Sequence, residues 1–152
     1  MELRRYRFNR KVGKVYLEVG NQLSEIGATL KMIILWASAP IFGKPFAHLS
    51  AQNWVQITFL DMQGNWCYAL LNNGITDALN PWLKYRNQIE SQGLELCSVI
   101  TTISFNLVEG EHECFDYSFS GVRGKPGLEE RMKTLIDNSG HALVDTSVNL
   151  LT

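Results

Sequence analysis

The chain has 152 residues, 45% hydrophobic, 11% aromatic and 19% charged. That is enough for one compact core and too little for two ordinary domains, and the apolar content excludes a disordered chain or a collagen-like or coiled-coil rod. The formal net charge of -1 conceals an asymmetry: Arg4, Arg5, Arg7, Arg10, Lys11 and Lys14 against Glu2 give the first fourteen residues +5, and the remainder, eight basic against fourteen acidic, carries -6. Residues 1–152 are read as a single domain whose leading end projects a local positive field.

Residues 3–9 alternate, with Tyr6 and Phe8 on one side and Arg5, Arg7 and Asn9 on the other, which is the pattern of a half-buried strand. Val15, Leu17 and Val19 alternate with Tyr16 and Glu18 and suit a second strand returning from a turn at 11–14. A competing pattern runs through the same region. Val12, Tyr16, Val19, Leu23, Ile26, Leu30, Ile33 and Ala37 recur at spacings of four and three, a heptad stripe, with Gly13, Gly20 and Gly27 forming a groove beside it. The reading adopted is mixed: strands to about residue 19, then a helix over 21–36 with Asn21 or Ser24 as its cap.

Residues 37–53 hold Pro40, Gly43 and Pro45 and show no period, so they are read as a long loop. Residues 54–60 and 66–71 flank the turn 61–65 and form a hairpin, across which Trp54 and Trp66 nearly face each other. Asn80 and Pro81 open a helix that Gly93 closes. Residues 94–108 and 111–120 make a longer hairpin about Glu109 and Gly110. Pro126, Glu129 and Glu130 begin a third helix, carrying Leu128, Met132, Leu135 and Ile136, that ends at Gly140; alternation over 142–150 then predicts a last strand. The expected fold is α+β: an antiparallel or mixed sheet built from hairpins with about three helices on one face, a ferredoxin-like or related sandwich. In it Thr58, Ser104 and Ser118 face solvent while Phe59, Phe105 and Phe119 face the core.

Cys67, Cys97 and Cys114 are odd in number and far apart, with no paired spacing. They argue against a disulfide framework and a structural zinc site and for a reducing, cytoplasmic location. No apolar run is longer than residues 32–37, which is far shorter than the roughly 20 residues a spanning helix needs, so no membrane insertion is expected. No cofactor-binding motif occurs.

His112, Cys114 and Asp116 share one strand face and are the only imidazole, thiol and carboxylate brought together by spacing, the ingredients of a nucleophilic cysteine. Side chains two apart on a strand are roughly 7 Å apart, and Glu109, Glu111 and Glu113 beside them describe a solvated hairpin tip. The stronger signal is the alternation of arginine with aromatics at the start. Arg4, Arg5, Arg7, Arg10 and Lys11 suit contact with phosphates or another anionic surface, or protection of a strand edge. Phe42, Phe46, Trp54 and Trp66 add an aromatic contact surface. The expectation is a non-enzymatic module that binds a protein partner or a second copy of itself, with nucleic-acid binding through the basic segment as the alternative and an enzyme using the His112 strand third.

Overall fold

The computed structural model describes residues 3–74, 77–109 and 114–151, with side chains to residue 139. Nine strands form one mixed sheet: β1 (Arg4–Asn9), β2 (Lys14–Val19), β3 (Gln22–Gly27), β4 (Leu30–Ala37), β5 (Ile41–Gly43), β6 (Gln52–Asp61), β7 (Trp66–Asn72), β8 (Val99–Val108) and β9 (Cys114–Arg123). Two helices accompany it, α1 (Leu79–Ser91) and α2 (Leu128–Leu151), with a 3-10 turn at Leu96–Ser98. The strand order is β3-β2-β1-β7-β6-β4-β8-β9, with β5 on the free end of β6. Every pairing is antiparallel except β1 with β7, where Arg5 lies beside Tyr68.

The sheet curls into a half-barrel. Phe8 of β1 meets Phe105 of β8 and Tyr117 of β9, with ring centroids 6.2 and 6.0 Å apart, although three strands separate β1 from β8 in the sheet. The hollow is filled by α1, whose Leu79, Trp82, Tyr85 and Ile89 are buried. They lie in the same core as Tyr6, Val15, Met32, Ile34, Val55, Ile57, Phe59, Leu71 and Ile103 from the inner faces of the strands. Trp82 and Tyr85 both pack on Phe119. Arg10 closes the open side: its Nε donates to the carbonyl of Phe115 at 2.9 Å, its Nη2 to Asp116 at 3.0 Å, and its guanidinium lies over the Tyr117 ring. The Phe115 N–H in turn donates to the carbonyl of Arg10 at 2.7 Å.

The ferredoxin-like sandwich with about three helices is not what forms. Residues 21–36, expected as a helix, are β3 and β4, and the single-helix reading of 12–37 fails with it. All three glycines of the supposed groove have positive φ, 65° at Gly13, 61° at Gly20 and 140° at Gly27, and each sits at a turn or a strand end. The expected last strand, 142–150, is instead the second half of α2, since Gly140 does not end that helix. The loop 37–53 contains the short strand β5.

Helices are not confined to one face. The first half of α2 packs on the outer face, where Met132, Leu135 and Ile136 lie against Leu35, Leu60, Cys97, Ile33 and Trp66. Thr58 is as fully enclosed as Phe59, both at 0% exposure, and Ser104 and Ser118 are half-buried like Phe105 and Phe119, so the expected solvent-facing side is covered. The expected hairpins at β6–β7 and β8–β9 form, and α1 lies where predicted but starts at Leu79. Its cap comes from a distance: Asn73 Oδ1 accepts from the Leu79 N–H.

Candidate functional site

Alternation on β1 sends Tyr6 and Phe8 inward and Arg5 and Arg7 outward. Antiparallel pairing with β2 then sets Glu18 opposite Arg5. One carboxylate serves both arginines: Arg7 Nη2 is 2.8 Å from Glu18 Oε1, and Arg5 Nε is 3.6 Å from Glu18 Oε2. The rows of the sheet extend this arrangement, because register places Leu23, Glu18, Arg5, Tyr68, Thr58 and Trp36 side by side across six strands of the outer face.

Above the row lies Phe46 from the segment after β5. Its ring is 5.0 Å from the Arg7 guanidinium and 5.4 Å from that of Arg5, and Arg5 also stands 5.7 Å from the Tyr68 ring. Phe46 is held in turn by Trp54 at 5.5 Å. Trp54, only 3% exposed, is fixed by donating its indole N–H to the Gly43 carbonyl. Cations over aromatic faces stabilise by about 0.5–2 kcal/mol each, so the patch is pre-ordered. Two positive charges nevertheless face a single negative one, and Arg7 Nε is buried with no acceptor among the described residues.

The remaining predicted residues disperse. Arg10 is spent internally in the half-barrel clamp, with a side chain only 10% exposed. Arg4 and Lys11 are exposed, and the Lys11 backbone N–H donates to the Asn9 side chain. Phe42 is 70% exposed, but it pairs with Asn53 and so lies on the other face from Trp54. Trp66 belongs to the α2 contact. The two tryptophans do not face each other: Trp54 pairs with Asn72 at the open end of the hairpin and Trp66 with Leu60 at its turn. Glu18, Tyr68 and the stacking of Phe46 on the arginines were missed. The register that unites them depends on a β1–β7 pairing sixty residues apart, for which no local pattern exists; the alternation at Glu18 was the only available hint.

On the His112 strand, Asp116 is engaged by Arg10, and His112 lies outside the described residues. Among the described residues no three His, Cys, Asp or Glu side chains gather as a metal site, and no helix is long and apolar enough to cross a membrane. A depression of about 610 Å³ opens between the end of α1, the 3-10 turn and α2, with Leu35, Leu96, Cys97 and Ile136 in its wall. Its charges are matched locally, Arg86 with Glu90 and Lys133 with Glu95 and Glu129, and burial pushes the Cys97 thiol pKa up, away from nucleophilic use. Comparison with family models, with characterised proteins and with solved structures finds no match to the chain.

Proposed function

We propose that the protein is a non-enzymatic binding module that recognises another protein through the outer-face patch of Arg5, Arg7, Phe46 and Tyr68, with buried Trp54 holding Phe46 in place, favouring a segment that carries carboxylates and apolar side chains. The observation that carries this reading is the convergence of two guanidiniums on one carboxylate and one phenyl ring. A surplus cation held in place by aromatics gives directional donors and apolar area together, the combination enriched where protein surfaces meet. The sequestration of Arg10 favours a protein over nucleic acid, because it removes one of the basic residues that would track a phosphate backbone.

The test is fluorescence anisotropy at low salt with two labelled probes: an extended peptide alternating glutamate and phenylalanine, and single-stranded DNA. Saturable peptide binding is expected, weakened at least about tenfold by the Arg5→Gln, Arg7→Gln double variant and by Phe46→Ala. Tighter binding of DNA, dependent on Arg4 and Lys11, would transfer the assignment to nucleic acid. Peptide binding indifferent to Arg5, Arg7 and Phe46 would reject the patch.

A further inference from the structure

One end of the sheet is open. Among the described residues β3 pairs with β2 alone; five of its six residues are exposed and the sixth is half-buried. Leu23 and Ile26, with Val19 just before the turn, are large apolar side chains in water. Proteins ordinarily blunt such an edge with lysine, proline, a bulge or a covering segment. Residues 22–25 carry no lysine or proline, and the bulge lies beyond them, where the β2–β3 register shifts after Glu25.

The turn fixes which backbone groups point outward. β2 and β3 are joined by Gly20 and Asn21, with Gly20 at φ 61°, and a two-residue hairpin of this kind closes on a hydrogen-bonded pair, here Val19 with Gln22. Bonded and unbonded pairs alternate along an antiparallel ladder. Ser24 is therefore bonded to Leu17, while Leu23 and Glu25 turn their N–H and C=O groups away from β2.

We propose that a second copy of this chain docks on that edge, β3 against β3, antiparallel and centred on Ser24. A twofold axis perpendicular to the sheet keeps the same side chains on the same face, which restricts the pairing to registers centred on a residue. Centring on Ser24 is the one that uses both outward residues of each strand: Leu23 of each copy bonds Glu25 of the other, making four main-chain hydrogen bonds. It also sets Gln22 beside the second copy's Ile26 and places no like charges opposite each other. Centring on Glu25 sets two carboxylates face to face, and centring on Leu23 matches Glu25 with Asn21 of the turn. This surface is distinct from the Arg5–Phe46 patch and stands or falls without it.

The test is sedimentation velocity on the full chain from micromolar to near-millimolar concentration, with site-directed crosslinking. A species of twice the 17.2 kDa chain mass is expected at the upper end and is abolished by Leu23→Pro, which deletes an outward N–H while leaving the β2–β3 ladder bonds intact. Ser24 meets its own counterpart as an unbonded pair, with Cα atoms about 4.5 Å apart, within disulfide reach. In a Cys114→Ser background, Ser24→Cys is therefore expected to form a covalent dimer under mild oxidation, and Glu25→Cys is not. A monomer at every concentration, or crosslinking through position 25 in preference to 24, would overturn the proposal. Circular dichroism of each variant verifies the fold.

Discussion

Asp61 sits at the turn end of the β6–β7 hairpin, 7% exposed. Burial by itself raises its pKa, but the N–H groups of Gln63 and Asn65 and the Asn65 side-chain amide donate to it and hold it below the usual carboxylate value. The hydroxyl of Tyr6 leans on the same carboxylate. Burial first, then the nearby charges of Cys67 and Asp61, pushes the Tyr6 pKa up to about 12; Cys67 rises to about 12 chiefly through burial and then Asp61, and Tyr117 to about 12 through burial. The signs are opposite. Asp61 contributes stability that is present above its unfolded pKa and lost as pH falls through the lower folded value. The two tyrosines and the thiol contribute stability that is complete below their unfolded values, 10.0 and 9.0, and lost as pH rises towards 12. Denaturant melts are therefore expected to weaken steadily above about pH 9, with each group adding roughly 1.4 kcal/mol per pH unit inside its own window. Tyr6→Phe should flatten part of that alkaline slope, and an unchanged slope would contradict the burial of this hydroxyl.

At the scale of elements, turn chemistry separates the right readings from the wrong ones. The β6–β7 and β8–β9 hairpins alternate cleanly and were readable, as were β1, β2 and the body of α1. β4 was not, because Met32 and Ile34 face the inner core while Ile33 and Leu35 face α2; a strand buried on both sides loses the alternation that identifies it. Its apolar run then matches a helix stripe equally well, and glycines seven residues apart complete the illusion. The second half of α2 was misread for the converse reason, since an alternation of small and β-branched residues does not exclude a helix that is already under way. In the candidate patch, the outward arginines and Phe46 were visible in sequence, but their meeting was not. The glycines can be told apart experimentally. Gly20→Ala, strained at φ 61° with open space around it, is expected to destabilise by about 1 kcal/mol. Gly13→Ala, at φ 65° and with its new Cβ only 2.9 Å from the Phe115 ring, should cost about 2 kcal/mol or more. Thermal unfolding of the pair checks the order; equal losses would mean that Gly13 is not pressed against β9.

For the whole molecule, the clamp at Arg10 matters more than the surface arginines. It ties the β1–β2 turn to β9 through hydrogen bonds to Phe115 and Asp116, and any side chain at Gly74 would collide with its guanidinium. Arg10→Ala leaves a partly buried carboxylate without that cation and is expected to destabilise by about 3 kcal/mol. Arg7→Ala removes an ion pair in which the arginine side chain is 33% exposed together with its contact on Phe46 and should cost less, about 1–2 kcal/mol. Chemical denaturation of the two variants measures the contrast, and equal losses would show that the half-barrel holds its curl without the clamp.

The parallel seam between β1 and β7 has a consequence in time. During synthesis the first three strands emerge as a meander whose first strand, β1, has its other side bare, and Arg4 and Arg5 must wait for Cys67 and Tyr68 before that side is covered. Closing so long a loop comes before any reward from the contacts it brings, which places refolding in the slower range, milliseconds to seconds. Until then the nascent meander presents the edge of β1 in addition to that of β3, and that interval is when it is most prone to stick to its neighbours.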